Sequence, residues 1–176
     1  MTSISMKWVE DNHACQEARE WFKGELNGKR SMPVSKLFSR LVEIDRFNWA
    51  NWLVVRLMTH DQQIMYAIYA SEQVVGLYED KYPEDTRPRD AIQAAKTCLE
   101  KPTKANKAKA ADAATAAYAA AYSAYSAYAA HAADSVAHAA AYAAHAVASS
   151  EMRIQILNYG LGLIGVKAPK KAVEEG

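Results

Sequence analysis

The 176-residue sequence lacks an excess of charge of either sign. Its 21 lysines and arginines oppose 20 aspartates and glutamates, so the formal net charge at pH 7 is +1. A protein that binds nucleic acid needs a basic surface, and a protein that mimics nucleic acid needs an acidic one. The balance favours neither class, and we expect no nucleic-acid partner.

Cysteine is also scarce. Cys15 and Cys98 lie far apart and form no CxxC pair, so the sequence predicts neither a disulfide framework nor a zinc site. We expect both thiols to be reduced and buried. Charged residues such as Lys7 and Arg19 interrupt the apolar core that a signal peptide would need. These features predict a cytoplasmic protein.

The longest uncharged window lacks large aliphatic side chains. Residues 113–133 carry no charge and are long enough to cross a bilayer. However, they contain no Leu, Ile, Phe or Val, which are the residues that supply the insertion energy of a membrane helix. We therefore predict no membrane span and no membrane partner.

The apolar residues that are present recur mostly at helical spacing, and prolines and polar residues mark the helix ends. The segment 47–58 is short and dense in large apolar groups, which is typical of a buried helix or a buried strand; its helical neighbours favour helix. We expect Trp49 and Trp52 within it to be largely buried, with hydrogen-bonded indole N–H groups. The predicted helices cover about 11–26, 33–44, 47–58, 60–82 and 88–100.

Glycine and proline are absent from residue 103 to about residue 150, where alanine dominates. Because alanine has the highest helix propensity, we predict nearly continuous helix there. Such a helix would span roughly 65 Å at 1.5 Å per residue, which exceeds the width of one domain of this size. It therefore either projects or folds back as a hairpin.

These segments predict an all-α protein, a multi-helix bundle with a long alanine-rich helix or helical hairpin in its C-terminal half. One helical domain should cover residues 1–168, followed by a frayed tail over 169–176. Within the domain, amphipathic helices should occupy 8–100, the alanine-rich region 103–150 and an apolar helix 150–166.

The alanine-rich region carries a ladder of tyrosine and histidine side chains. Steps of three and four residues place most of them along one face of a helix, while the alanines allow neighbouring helices to approach closely. We predict that this ladder is buried in polar contacts or offered to another protein. Its members, the candidate partner-binding residues, are Tyr118, Tyr122, Tyr125, Tyr128, His131, His138, Tyr142 and His145.

The sequence predicts no metal, cofactor or catalytic site. Histidines seven residues apart on a helix are separated by about 10.5 Å of rise, whereas zinc takes its ligands at about 2 Å. Asp134 and His138 would need further ligands from elsewhere. The sequence has no HExxH, no GxSxG and no Gly-rich phosphate loop. The adjacent His60 and Asp61 are typical of a helix start.

A charged turn separates the predicted helices 60–82 and 88–100. Asp85 can accept from free backbone N–H groups, and Pro88 has its φ preset for a first helical turn. The guanidinium groups of Arg87 and Arg89 can bind carboxylates such as Glu79 and Asp85. We predict that Asp85, Arg87, Pro88 and Arg89 form a structural turn; an active-site loop is an alternative that helix capping makes unnecessary.

Several motifs follow one another in a recognisable order. They are "AC" and "EW" within 14–21, "WANWL" at 49–53, "YEDKYPEDTRPRDAIQAAK" at 78–96 and the alanine-rich tract. The most specific is the P-x-D-x-R-P-x-x-A-I run at 83–92. Over about residues 13–150, this order resembles the immunity proteins of bacterial polymorphic toxin systems, which also occur in phage genomes. The resemblance implies an all-α cytosolic protein that neutralises a toxin by binding it, without catalytic residues.

Three functions stay open at this point. The first, which the resemblance favours, is a non-catalytic inhibitor or immunity module that binds a toxin or a host or defence protein. The second is a phage accessory or structural protein that forms homo-oligomers through its Ala/Tyr/His helices. The third is an unrecognised helical enzyme. The resemblance implies no role for the Tyr/His ladder or for the segment "EMRIQILNYGLGLIGV".

Overall fold

The computed structural model describes residues 3–110, 112 and 150–168, and these residues are predominantly helical. The all-α prediction is confirmed. The labelled helices are α1 (Met6–Asp11), α2 (Gln16–Leu26), α3 (Val34–Glu43), α4 (Phe47–Leu57), α5 (His60–Lys81), α6 (Arg87–Glu100) and α7 (Ser150–Leu163). Residues 104–110 are also helical, and the Thr103 hydroxyl caps them by accepting the Asn106 N–H at 3.1 Å.

The remaining alanine-rich residues, 113–149, lie outside the described residues, and so does the tail 169–176. The choice between one long helix and a hairpin therefore stays a prediction. The apolar helix predicted over 150–166 is confirmed as α7, which ends at Leu163.

A small antiparallel sheet was not predicted. Strand β1 (Ser3–Ser5) pairs with β2 (Ser31–Pro33), with Ile4 opposite Met32. Both of these side chains are buried. The helix predicted over 11–26 begins only at Gln16, as α2, because the separate helix α1 ends at Asp11 and His13 adopts a left-handed φ of 57° between them. Three-residue strands are too short to show the alternating pattern that predicts a strand.

The chain divides into two compact units, and the first comprises Met1–Met58 and Gly160–Gly176. Helix α3 buries Val34, Leu37, Phe38 and Leu41, which recur at helical spacing on one face. Helix α4 buries a wider set of residues: Phe47, Ala50, Asn51, Leu53, Val54 and Val55. The choice of helix for residues 47–58 is therefore confirmed, since burial around much of a helix explains why the segment lacks amphipathic periodicity.

The tryptophans of α4, Trp49 and Trp52, are of intermediate burial, so each is largely but not fully covered. The Trp52 ring meets the Trp8 ring edge-on, with 6.2 Å between centroids, and Trp49 meets Trp21 at 5.7 Å. The Arg56 guanidinium also lies 4.1 Å from the centroid of the Trp52 ring. The indoles lie beside the most buried positions of α4, and they pack against aromatic and cationic partners there.

The predicted burial of the two cysteines is wrong. Cys15 is exposed, because it is the extended N-cap residue of α2 and precedes the first helical turn. Cys98 is only partly buried, because it lies on α6, a helix without any buried residue.

The second unit comprises Thr59–Tyr159. Its helix α5 is capped by Thr59: the Gln62 N–H donates to the Thr59 hydroxyl at 3.3 Å, and the Thr59 N–H donates to the Gln62 side chain at 2.9 Å. Within the described parts of the chain, no helix is both long and apolar enough to cross a bilayer. That a single domain covers residues 1–168 stays a prediction.

Candidate protein-binding site

Helices α5 and α6 form an antiparallel hairpin around the charged turn. Helix α5 ends at Lys81, two residues before Pro83, because a proline drives the preceding residue out of the helical region. Helix α6 begins at Arg87, with Pro88 as its second residue. The Asp85 carboxylate accepts the Arg87 N–H at 3.1 Å and so satisfies one free donor of the helix start.

The two arginines of the turn bind the carboxylates that the sequence predicted. Arg87 forms a fork with Asp85, at 2.8 Å from Nε and 2.7 Å from its terminal nitrogen. Arg89 forms the same kind of fork with Glu79, on the opposite helix of the hairpin. The Tyr78 hydroxyl donates to Asp85 at 2.6 Å. The contacts are therefore present, while their stabilising effect stays a prediction.

The hydrogen bonds and ion pairs among Tyr78, Glu79, Asp85, Arg87 and Arg89, called the clasp below, shift the pKa values of three of these groups. Hydrogen bonds from Arg87 and Tyr78 hold the pKa of the Asp85 carboxyl well below its usual range. The fork from Arg89 also lowers the pKa of Glu79, and the hydrogen bond to Asp85 raises the pKa of the Tyr78 hydroxyl. A general acid or base works best with a pKa near neutrality. All three pKa values move away from neutrality, so the turn is suited to holding its shape.

A groove of about 220 Å³ lies further along the same hairpin. The rings of Tyr69 and Tyr159 stack beside it, with centroids 4.0 Å apart and planes inclined by 12°. The Lys96 ammonium binds the Glu72 carboxylate across the hairpin at 2.5 Å. The residues that line the groove are Met65, Ile68, Tyr69 and Glu72 of α5, Lys96, Leu99 and Glu100 of α6, and Tyr159 of α7.

Helix α6 is partly covered, and most of its residues are of intermediate burial. None of its fourteen residues, all of which the structure describes, is buried. On the facing helix, the Leu77 side chain is 53% exposed. Aromatic and aliphatic side chains beside partly exposed charges are typical of a protein-binding surface. The hairpin therefore combines the clasp at its turn with an apolar groove further from the turn.

The residues of the predicted Tyr/His ladder, Tyr118 to His145, lie outside the described residues, and so does Asp134. The structure thus tests neither a partner-binding nor a metal-binding role for them. Among residues 3–110, 112 and 150–168, no group of three or more His, Cys, Asp or Glu side chains could hold a metal ion.

Sequence reasoning did not single out the groove. Tyr69 and Tyr159 lie in helices far apart in the chain, and no local pattern connects them. The amphipathic spacing of α5 included Ile68 but could not show which helix packs beside it. The only available signal was the presence of tyrosines on two apolar helices.

Comparison with known proteins identifies one matching family. A family model described as "Imm-5 like putative immunity protein" matches residues 54–175. This range contains α5, the charged turn, α6 and α7, whereas α1 to α3 and most of α4 precede it. No curated protein and no solved structure matches the chain.

Proposed function

The chain belongs to the Imm-5 like putative immunity protein family, and we propose on this basis that it is a non-catalytic module that binds and neutralises a toxin protein. The family match over residues 54–175 carries this proposal. It confirms the resemblance noted in the sequence, and it supports a protein partner in general. The proposal adds that this partner is a toxin and that binding neutralises it.

The α5–α6 hairpin is the proposed binding face. It lies wholly within the family range, whereas much of the buried aromatic packing of the chain lies before that range. The partly covered surface of α6 and the tyrosine-lined groove supply the partly exposed apolar area that protein interfaces use.

The test is a growth assay in which each candidate toxin gene found next to this gene is expressed with and without this chain. We expect growth only when the chain is present, and a complex of the two purified proteins in size-exclusion chromatography. Growth arrest despite an equal amount of folded chain would contradict the proposal.

The stoichiometry of protection separates binding from catalysis. A binding module blocks purified toxin only when it is at least equimolar, whereas an enzyme that inactivates the toxin protects at a small fraction of that amount. We expect toxin activity to fall linearly with added chain and to reach its floor near one equivalent. Complete protection at a few hundredths of an equivalent would replace the binding module with an enzyme.

Three earlier predictions stay predictions. Self-association through the alanine-rich region concerns residues 113–149, which the structure does not describe. The cytoplasmic location and the absence of a nucleic-acid partner are expectations from composition. The first is tested by light scattering of the purified chain, which would show a mass above that of the 19.4 kDa monomer.

A further inference from the structure

The turn between α2 and β2 contains the one Asn-Gly pair of the sequence, Asn27–Gly28, and both residues are exposed. The side-chain amide of an asparagine can be attacked by the main-chain nitrogen of the next residue. Glycine leaves that nitrogen accessible because it has no Cβ. Apart from chain neighbours, no atom of the described residues lies within 4 Å of the position that a Gly28 Cβ would take. The pair is therefore sterically open to this reaction.

The two reacting groups are also free of hydrogen bonds. Within the described parts of the chain, no residue binds the Asn27 side-chain amide and none accepts the Gly28 N–H. Other asparagines are held in place: the side-chain amides of Asn12 and Asn106 donate to main-chain carbonyls at 2.9 and 2.8 Å. Asn27 thus differs from them both in its neighbour and in its freedom.

The main chain of the folded turn opposes the reaction. Asn27 adopts a left-handed conformation with φ 45° and ψ 53°, which places the Gly28 nitrogen and the Asn27 side chain on opposite sides of the Cα–C bond. Two hydrogen bonds hold this shape, from the Asn27 N–H to the Gly24 carbonyl at 3.1 Å and from the Lys29 N–H to the Leu26 carbonyl at 2.9 Å. Both lie at an exposed helix end, where local opening costs little free energy.

From these observations we infer that Asn27 is a site of spontaneous deamidation and that opening of this turn controls the rate. In the open turn the Gly28 nitrogen attacks Asn27 Cγ. The N–Cγ bond forms, the Cγ–Nδ2 bond breaks, and ammonia leaves with the proton of the Gly28 N–H. Water then opens the cyclic imide at Cγ to give aspartate, or at the main-chain carbonyl to give isoaspartate. The inference goes beyond the proposed function and is independent of the toxin.

Both products change how α2 connects to β2. Aspartate at position 27 places a carboxylate at the C-terminal end of α2, which already carries a partial negative charge. Isoaspartate adds a methylene group to the main chain just before β2, whose buried Met32 lies opposite Ile4 of β1. We therefore expect the deamidated chain to be less stable than the unaltered one.

The first test follows the chemistry by mass spectrometry of the full chain incubated at pH 6 and at pH 9. Trypsin releases residues 24–29, and chromatography separates the asparagine, aspartate and isoaspartate forms of this peptide. We expect faster loss of Asn27 at pH 9, because hydroxide removes the Gly28 proton, and a product that contains isoaspartate. A sample digested at time zero corrects for the digestion. Conversion no faster than that of Asn12, or aspartate as the sole product, would overturn the inference.

The second test concerns control by opening. The chain unfolded in guanidinium chloride should deamidate faster than the folded chain. Gly24→Ala, which has room for its Cβ, strengthens the last turn of α2 and should slow the reaction by up to about fivefold. Gly76→Ala makes the same change in α5 of the second unit, also with room for the Cβ, and should leave the rate unchanged. Equal rates in the folded and unfolded chains, or in the two variants, would contradict this control.

Thermal melts connect the modification to stability. After incubation at pH 9, the unaltered chain should melt at a lower temperature than before. Asn27→Gly keeps a residue that tolerates the left-handed turn but has no amide to lose, and its melting temperature should not change on the same incubation. An equal fall in both chains would mean that the damage lies elsewhere and would contradict the expected effect of Asn27.

Discussion

Helices α4 and α6 are comparable in length but are stabilised by different interactions. Helix α4 buries six of its eleven residues, whereas α6 buries none of its fourteen described residues. The segment "FNWANWLVVRL" is rich in large apolar groups, and "RPRDAIQAAKTCLE" is rich in alanine and charge. Burial therefore stabilises α4, while α6 depends on its cap, its ion pairs and partial packing against α5. In the proposed function, α4 contributes stability and α6 contributes surface to the partner-binding face.

The largest expected effect comes from one substitution made in both helices. Leu53→Ala in α4 removes a side chain that is only 3% exposed, and it should lower the free energy of unfolding by about 2 to 5 kcal/mol. Leu99→Ala in the half-exposed groove should cost no more than about 1.5 kcal/mol. Urea unfolding measures both values. Equal losses would contradict the division between a buried and a partly covered helix.

A smaller effect is expected at the border of the α4 core. Trp52→Ala removes a half-buried ring and its edge-on contact with Trp8, so it should cost about 1.5 to 3 kcal/mol, less than full burial implies. Trp52→Phe, which retains an aromatic ring, is the control and should cost less. A loss well above the value for Leu53→Ala would show that the ring is part of the core.

Next in size is the clasp of the hairpin. Arg87→Ala breaks the fork to Asp85, and the melting temperature should fall, although by less than for Leu53→Ala because the Arg87 side chain is 49% exposed. Arg87→Lys keeps the charge but loses the two parallel hydrogen bonds, and it should recover only part of the loss. An unchanged melting temperature combined with lost toxin binding would make the turn a contact surface instead.

The smallest expected effect is the pH dependence of the same clasp. Because Arg87 and Tyr78 lower the pKa of Asp85 in the folded chain, its stabilisation is complete above the unfolded value of about 3.9 and is lost as the pH falls through the folded value. Thermal melts of the unaltered chain and of Asp85→Asn should therefore differ most at neutral pH. The difference should shrink below about pH 4. A difference that is constant from pH 7 to pH 2 would mean that the Asp85 pKa is not lowered.

The sequence predicted the hairpin well because its signals are local. Pro83 and Pro88 delimit the turn, Thr59 begins α5, and the spacing of Arg87 and Asp85 allows the fork directly. The sequence could not predict contacts between distant segments. The pairing of β1 with β2 and the stacking of Tyr69 on Tyr159 join segments that are distant in the chain. The periodicity of each segment alone does not show which other segment it contacts.

Residue type was a poor guide to burial at the edges of helices. Cys15 was expected to be buried, yet it precedes a helix and is exposed, whereas Trp52 lies beside the buried side of α4 and is largely but not fully covered. The position of a residue around the helix axis decides its exposure, and that position depends on which neighbour the helix meets.

The most direct measurement is hydrogen–deuterium exchange of the full chain with and without the toxin against which it protects in the growth assay. We predict that complex formation slows amide exchange in α5 and α6, residues 60–100, and leaves amide exchange in α4 nearly unchanged. Amides of α4 should already exchange slowly in the free chain, because its residues are buried. Protection confined to α1 to α4, with the hairpin unaffected, would contradict the assignment of recognition to α6.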